Sequence, residues 1–380
     1  MAWRPRRGGV ATALRPLAWL YALLAALHRA WWRHVQRPVR LPVPVVVVGN
    51  VVVGGSGKTP VVIALVQTLR AAGWNPGVVS RGYGRASGAA LRLAAPDSTA
   101  EQIGDEPLLI GRRTGAPLAV GARRVDAARL LLARHPEVDI IVSDDGLQHH
   151  ALAHDLALVV FDDRGAGNGL LLPAGPLREP VPKALPARRL VVYTGPGGAS
   201  TRLPGTLAPV RADRAVALQA WWRSGEDVAR QPPVALKALD ALRSPDTQGA
   251  QRIAPPEQGQ TVAGPQEALN TLHDPGLPDA PGVHPLIALA GIGEPSKFFA
   301  TLTAAGLRFV RQPMPDHARY DRPPWPAWAR DVVTTEKDAV KLARLNLDMT
   351  RVWVVPLDLT LPPEFVTALL RCLPRRCTPR

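Results

Sequence analysis

Residues 49–60 read GNVVVGGSGKTP, directly after the apolar run PVPVVVV. The general phosphate-loop pattern G-x-x-x-x-G-K-[ST] is met at Gly57, Lys58 and Thr59, while its first glycine falls on Val52. The physics behind the pattern survives that departure. A β-branched strand runs into a turn carrying Gly54, Gly55, Ser56 and Gly57, and a Lys-Thr pair opens an apolar helix. Successive N–H groups in such a turn form an anion-binding nest, and the helix N-terminus adds its dipole. Val61, Val62, Leu65, Val66 and Leu69 recur at helical spacing up to Gly73, and Pro60 sits in the first turn, where a missing N–H costs little. Lys58 is placed to reach the outer phosphates of a nucleotide and the Thr59 hydroxyl to face magnesium.

Outward from this corner, apolar strands alternate with helical stretches: GVVS at 77–80, PLAV at 117–120 with a helix over 122–134, DIIVS at 139–143, LALVVF at 156–161 and RLVVYT at 189–194. The alternation predicts an α/β fold of phosphate-loop type, with a doubly wound, mostly parallel sheet in a domain over 41–215. Ligands of such sheets bind beyond the carboxyl ends of the strands. Residues 216–283 are rich in Pro, Gln and Gly and read as a linker or insertion. Order returns at LIALAGIG, followed by a helix from Ser296, the strand-like LRFVRQ and DVVTTEKDAVKLARL, a second and smaller α/β domain over 284–380.

The 380 residues carry 46 Lys and Arg against 31 Asp and Glu, a net charge of +15 that attracts polyanions without choosing among them. The two cysteines, both in the C-terminal tail, suggest neither a disulfide framework nor a metal site. Residues 1–40 combine several arginines with LAWLYALLAAL and HRAWWRHVQR. That apolar stretch is shorter than the roughly 20 residues a membrane-spanning helix needs. An amphipathic helix lying in a membrane interface, with Trp at headgroup depth, is favoured over a cleaved signal segment or a plain buried helix.

Chemistry is sought in the loops that follow the strands. DIIVSDDGLQHH ends an apolar strand on Asp144 and Asp145, where a Walker B carboxylate would hold magnesium, although Asp-Asp-Gly is also good turn chemistry. SRGYGR supplies Arg81, Tyr83 and Arg85, suited to a phosphorylated or sugar-like ligand. IGDEP offers Asp105 and Glu106, which by themselves read as a helix start. The long loop at 161–180 ends on Arg178, able to brace phosphate charge, with Glu179 expected as its salt-bridge partner. MPDHARYD brings Asp316, His317 and Tyr320 close together in sequence.

These motifs, with AGIG, Phe298, Phe299 and TTEKDAVKL, stand in an order that resembles the tetraacyldisaccharide 4'-kinases, the lipid A 4'-kinases of Gram-negative bacteria. The resemblance covers most of the chain, from about residue 10. It implies transfer of a phosphoryl group from ATP, with Mg2+, to the 4'-hydroxyl of a tetraacyl glucosamine disaccharide 1-phosphate at the cytoplasmic face of the inner membrane. It further implies Ser56, Gly57, Lys58 and Thr59 at phosphate and metal, and Asp144 and Asp145 in the metal region with Glu106 as a further candidate. Asp105 would be the catalytic carboxylate paired with His317, and Arg81, Tyr83, Gln148, His149 and Arg178 would line the donor and acceptor sites. A GTP-driven switch or metallocentre chaperone is the rival, disfavoured because TEKD at 335–338 replaces the expected N-K-x-D. A nucleic-acid binder would leave GGSGKT and SDDG unexplained, and no nucleic-acid module is recognisable.

Overall fold

The computed structural model describes residues 9–55, 57–85, 90–224, 234–239, 285–347 and 349–374. Helices α1 (Gly9–Ala13) and α2 (Arg15–Trp31) and a π-helical turn, Trp32–Gln36, precede β1 (Val45–Gly49). The chain continues through α3 (Lys58–Ala71), β2 (Pro76–Ser80), β3 (Arg92–Leu93), α4 (Ala100–Ile103), α5 (Asp105–Thr114), β4 (Leu118–Val120) and α6 (Arg124–Arg134). Strands β5 (Ile140–Asp144), β6 (Leu156–Phe161), β7 (Arg189–Tyr193) and β8 (Thr206–Leu207) complete an eight-stranded sheet of order β3-β4-β2-β5-β1-β6-β7-β8. All its pairings are parallel except β3 with β4.

The valine run of β1 is explained by burial on both faces of a parallel sheet. Val46 and Val48 pack with α3 residues such as Val62 and Leu65, whereas Val45 and Val47 pack with Ala128 and Leu131 of α6. From β1 the chain first builds one side of the sheet, out through β2, β3 and β4 and back to β5 beside β1, then crosses to the other side of β1 for β6, β7 and β8. The turn after β1 therefore sits at the topological switch point, the crevice where open α/β sheets bind ligands.

A second sheet of six strands follows, built from β9 (Arg214–Ala217), β10 (Val234–Ala235), β11 (Ile287–Ala290), β12 (Val310–Pro313), β13 (Asp331–Thr335) and β14 (Arg351–Val355), in the order β10-β9-β14-β13-β11-β12. Its helices are α7 (Leu218–Ser224), α8 (Pro295–Ala304), α9 (Glu336–Leu342) and α10 (Pro363–Cys372). The chain enters this sheet at Arg214, ahead of the boundary expected at residue 216. The reason is local: Ala217 and Val216 of β9 pair antiparallel with Trp353 and Val354, and Ala215 pairs with Val234 on the other side, so the start of the expected linker is a strand inside the second sheet. The Pro/Gln-rich stretch over 240–284 lies outside the described residues. The two sheets share one apolar cluster, in which Leu108 and Ile110 of α5 join Ala339 and Val340 of α9.

Helix α2 buries only Ala18. Leu17, Trp19, Leu20, Leu23, Leu24, Leu27 and Trp31 all face outward. Among the described residues no helix is long and apolar enough to cross a membrane.

Candidate active site

The carboxyl ends of β1, β2 and β5 converge on one pole of the first sheet. Gly57 caps α3 with φ of 73°, and a Cβ there would lie 3.1 Å from Thr194 Oγ1, so both backbone sign and space ask for glycine. Gly54 is likewise left-handed, at φ 99°, and Gly55 follows it exposed. Ser56 lies outside the described residues. Lys58 and Thr59 open α3, and the lysine reaches back across the turn, donating to Asn50 Oδ1 at 3.3 Å and pairing with Asp145 Oδ1 at 3.2 Å.

Asp144 ends the buried strand β5, Asp145 opens the turn after it, and the two do different things. Asp144 is buried and accepts a Ser80 hydroxyl hydrogen bond at 2.9 Å. Burial, then the neighbouring charges of Glu106 and Asp145, push its carboxyl up to about 7. Asp145 adopts φ of 47°, a strained value for a residue with a side chain. Burial works to raise its carboxyl, but Lys58 and Arg178 outweigh it and hold the group below the usual range.

Arg178 donates to Gln148 Oε1 at 3.3 Å and lies 3.5 Å from Asp145 Oδ1. Glu179 is not its partner, contrary to the expectation from sequence. Glu179 accepts instead from Gln148 Nε2 at 2.9 Å, and that same nitrogen donates to the Asn50 carbonyl at 3.1 Å. His149 Nε2 accepts the Arg124 backbone N–H at 3.3 Å. Burial, then the nearby arginines Arg124 and Arg81 with His150, drive its imidazole down to about 4, so it acts as a neutral acceptor.

Asp105 is the first residue of α5, yet Gly104, not its own side chain, occupies the cap position. Its carboxylate is buried and faces the second sheet, where His317 Nδ1 lies 3.0 Å from Oδ2 and 3.1 Å from Oδ1. Of the two readings left by GDEP, cap or chemical group, the side chain shows contacts of both kinds: it meets His317, and its Oδ1 also accepts the adjacent Glu106 N–H at 2.9 Å. Burial opposes ionisation of Asp105, but the hydrogen bond from His317 and the charge of Lys337 hold its pKa below the ordinary value. His317 is raised in turn, chiefly by Asp105, with burial opposing. Like Asp145 it is left-handed, at φ 58°.

The Arg81–Arg85 loop joins this arrangement through its backbone. A Cβ on Gly104 would lie 2.9 Å from the Tyr83 carbonyl, which fixes the loop against the start of α5. Tyr83 is exposed at its tip and stands edge-on to His317, with ring centres 4.9 Å apart. Arg81 is exposed nearby. Tyr320 does not join the site; its hydroxyl turns inward to the fully buried Asp338 at 2.9 Å. Glu106 is held by Lys337 at 3.1 Å.

Four residues near the site carried no functional expectation from sequence. Asn50 orders the turn, and the buried Arg124 donates to the Asp145 carbonyl at 3.4 Å. Arg164 crosses to the Gly55 carbonyl, and Lys337 enters from the second sheet. Asn50 stood in the opening motif and Lys337 in TTEKDAVKL, each just after a strand, but neither was given a chemical role there.

The chain matches the model of the family described as tetraacyldisaccharide-1-P 4'-kinase over residues 10–374. It is 45% identical over 369 residues to the tetraacyldisaccharide 4'-kinase of Methylibium petroleiphilum, covering 96% of this chain and 90% of that one. It is 44% identical over 380 residues to that of Leptothrix cholodnii, covering 99% and 95%. Among solved structures it is similar to the "apo" form LpxK from Aquifex aeolicus in complex with ATP, with a TM-score of 0.67 at 21% identity over 96% of this chain and 99% of that one. On the family match and the identity to these relatives, the chain belongs to the tetraacyldisaccharide 4'-kinase family.

Proposed function

We propose that this protein transfers the γ-phosphoryl group of ATP to the 4'-hydroxyl of a tetraacyl glucosamine disaccharide 1-phosphate, at the cytoplasmic face of the inner membrane. Beyond family membership, the observation that carries the reading is the Asp105–His317 contact at 3.0 Å, a carboxylate of one sheet met by an imidazole of the other beside a lysine-bearing phosphate turn.

An acceptor hydroxyl must lose a proton as it attacks phosphorus, and a positioned carboxylate can take it. Asp105 has that role, and His317 Nδ1 holds its oxygens in place. Lys58 leaves Asp145 and Asn50 for the outer phosphates, while the N–H groups around Gly54, Gly55, Ser56 and Gly57 cradle them. Arg178 braces the transferring charge. Arg81, Tyr83, Gln148 and His149 line the acceptor side. The exposed apolar face of α2 rests on the lipid surface, and the Tyr21 hydroxyl, donating to the Arg178 carbonyl at 2.9 Å, ties that helix to the site.

Thr59, Asp144 and Asp145 would hold Mg2+, and their hard oxygen donors suit it. Among the described residues no three of His, Cys, Asp and Glu form a metal cage. When bound, the ion neutralises charge on the phosphate oxygens. Asp144, kept near 7 by burial and like charges, is a carboxylate that gains from a cation.

The test incubates purified protein with labelled ATP or GTP and either a lipid disaccharide monophosphate or a water-soluble disaccharide, and identifies the product. Phosphate on the lipid 4'-position from ATP is expected. Transfer only to the soluble sugar, or hydrolysis of GTP without transfer, would overturn the assignment.

A further inference from the structure

Lys337 occupies a place that helix physics alone would not give a lysine. It lies in the first turn of α9, where the helix dipole disfavours a cation. Its ammonium is largely buried, among Glu106 at 3.1 Å, Asp316 at 3.1 Å and Asp105 at 3.9 Å. It also lies 3.4 Å from His317 Nε2. Two constraints fix its backbone. Thr335 caps α9 by accepting the Asp338 N–H at 3.2 Å, and the adjacent Glu336 is buried against Arg113 of α5.

The hydrogen-bond roles around the imidazole then have one consistent solution. An ammonium has donors and no acceptor, so against Lys337 the Nε2 atom must present its lone pair. In the neutral ring the hydrogen is therefore on Nδ1, directed at the Asp105 carboxylate. The competing arrangement would put a hydrogen on Nε2 toward Asp316 Oδ1, 3.8 Å away. Lys337 already donates to that oxygen. The remaining element facing the ring is the Tyr83 loop, which brings an aromatic edge. We propose that Lys337 is a positioning residue of the Asp105–His317 pair, fixing the neutral His317 ring as the Nδ1–H tautomer. The proposal rests on the reading of Asp105 as the proton acceptor for its catalytic consequence, though the tautomer itself does not.

The test is nitrogen NMR of the full-length, ligand-free protein labelled at histidine ring nitrogens, with the His317 signals identified by their loss in His317→Gln. At a pH where the ring is neutral, wild type should show the Nδ1–H form, and Lys337→Met should show mixed tautomers with His317 titrating at higher pH. Lys337→Arg should restore the wild-type pattern. In the transfer assay, Lys337→Met should lose roughly 10–100-fold in kcat at neutral pH, with KM for ATP changed less than about twofold and the acid limb of the profile moved upward. A wild-type Nε2–H signal overturns the proposal whether or not any variant folds. So does a Lys337→Met protein with an unmoved His317 titration. Because the spectra need no turnover, absence of lipid kinase activity would refute the function and leave the tautomer to be decided separately.

Discussion

Asp105→Asn changes one atom of a buried side chain while keeping its volume and the oxygen that accepts the Glu106 N–H at 2.9 Å. The new amide meets His317 donor to donor, or turns the ring, and no longer takes a proton. General-base assistance amounts to about 10²–10⁴-fold. At 1.36 kcal/mol per factor of ten this is about 3–5 kcal/mol of transition-state stabilisation. ATP binding should be little changed, since Lys58 and the glycine turn are untouched. Stability should respond with a recognisable pH profile. The depressed Asp105 carboxyl stabilises the fold above its unfolded value and loses that contribution as pH falls through the folded value. The raised His317 contributes below its unfolded value and loses it as pH rises through the folded one. The pair is therefore worth most between about pH 4 and 6.5, the two unfolded values, by about 1–3 kcal/mol for a charge-assisted hydrogen bond. The assays are kcat at saturating ATP and lipid, and urea unfolding from pH 3 to 9. His317→Ala should lower kcat less, and combining it with Asp105→Asn should add little, because partners acting as a unit are not additive. A kcat within threefold of wild type, fully additive losses, or a destabilisation flat in pH would refute the argument.

Lys58→Ala should lower turnover by about 10²–10³-fold while the circular dichroism spectrum is kept, because the side chain points into the turn, not the core. Gly57→Ala, forced to φ of 73° against Thr194, should lose about 1–2 kcal/mol of stability in urea titration and weaken nucleotide binding measured by calorimetry. Replacing Leu20, Leu24 and Leu27 by Ser should shift protein from vesicle pellet to supernatant at unchanged melting temperature, since all three are exposed in the chain alone. His149, held near 4, should show no NMR titration between pH 5.5 and 8.

The first sheet was legible because its central strands are continuous apolar runs, and such runs mean burial on both faces. β3, β8 and β10 span two residues each, too few for any periodicity to register. RVWVV at 351–355 carries the same β-branched signal as β1, but no motif adjoins it, and it forms β14. The site divides along a similar line. Residues at strand ends or in glycine-rich turns, such as Lys58, Asp144 and Asp145, announce themselves locally, whereas Asp105 by itself reads as a helix start and was singled out only by the family resemblance. Lys337 does not announce itself either, because it is 231 residues from Glu106 in sequence and looks like an ordinary surface lysine of a charged helix. Glu179 was misjudged for a local reason. Arg178 turns to Asp145 and Gln148, and Gln148 also takes up Glu179.

Helix α5 shows why the chemistry proposed for Asp105 and the joining of the two sheets are not separable in this fold. Its first residue is Asp105, and near its last turn Arg113 is buried against Glu336 and Asp358. Burial works to lower the Arg113 guanidinium, but the two carboxylates outweigh it. Glu336 also accepts from Trp221 Nε1 at 3.1 Å and from the Leu357 N–H at 2.9 Å, so its position is set from three directions. A buried ion pair returns little net stability, because removing both charges from water costs about what their attraction gains. Its contribution here is geometric. Glu336 and Lys337 are consecutive in the first turn of α9, one directed to the end of α5 and the other to its beginning. Fixing Glu336 on Arg113 thereby fixes Lys337 near Asp105 and His317, and the register between the sheets is also the register of the Asp105–His317 contact.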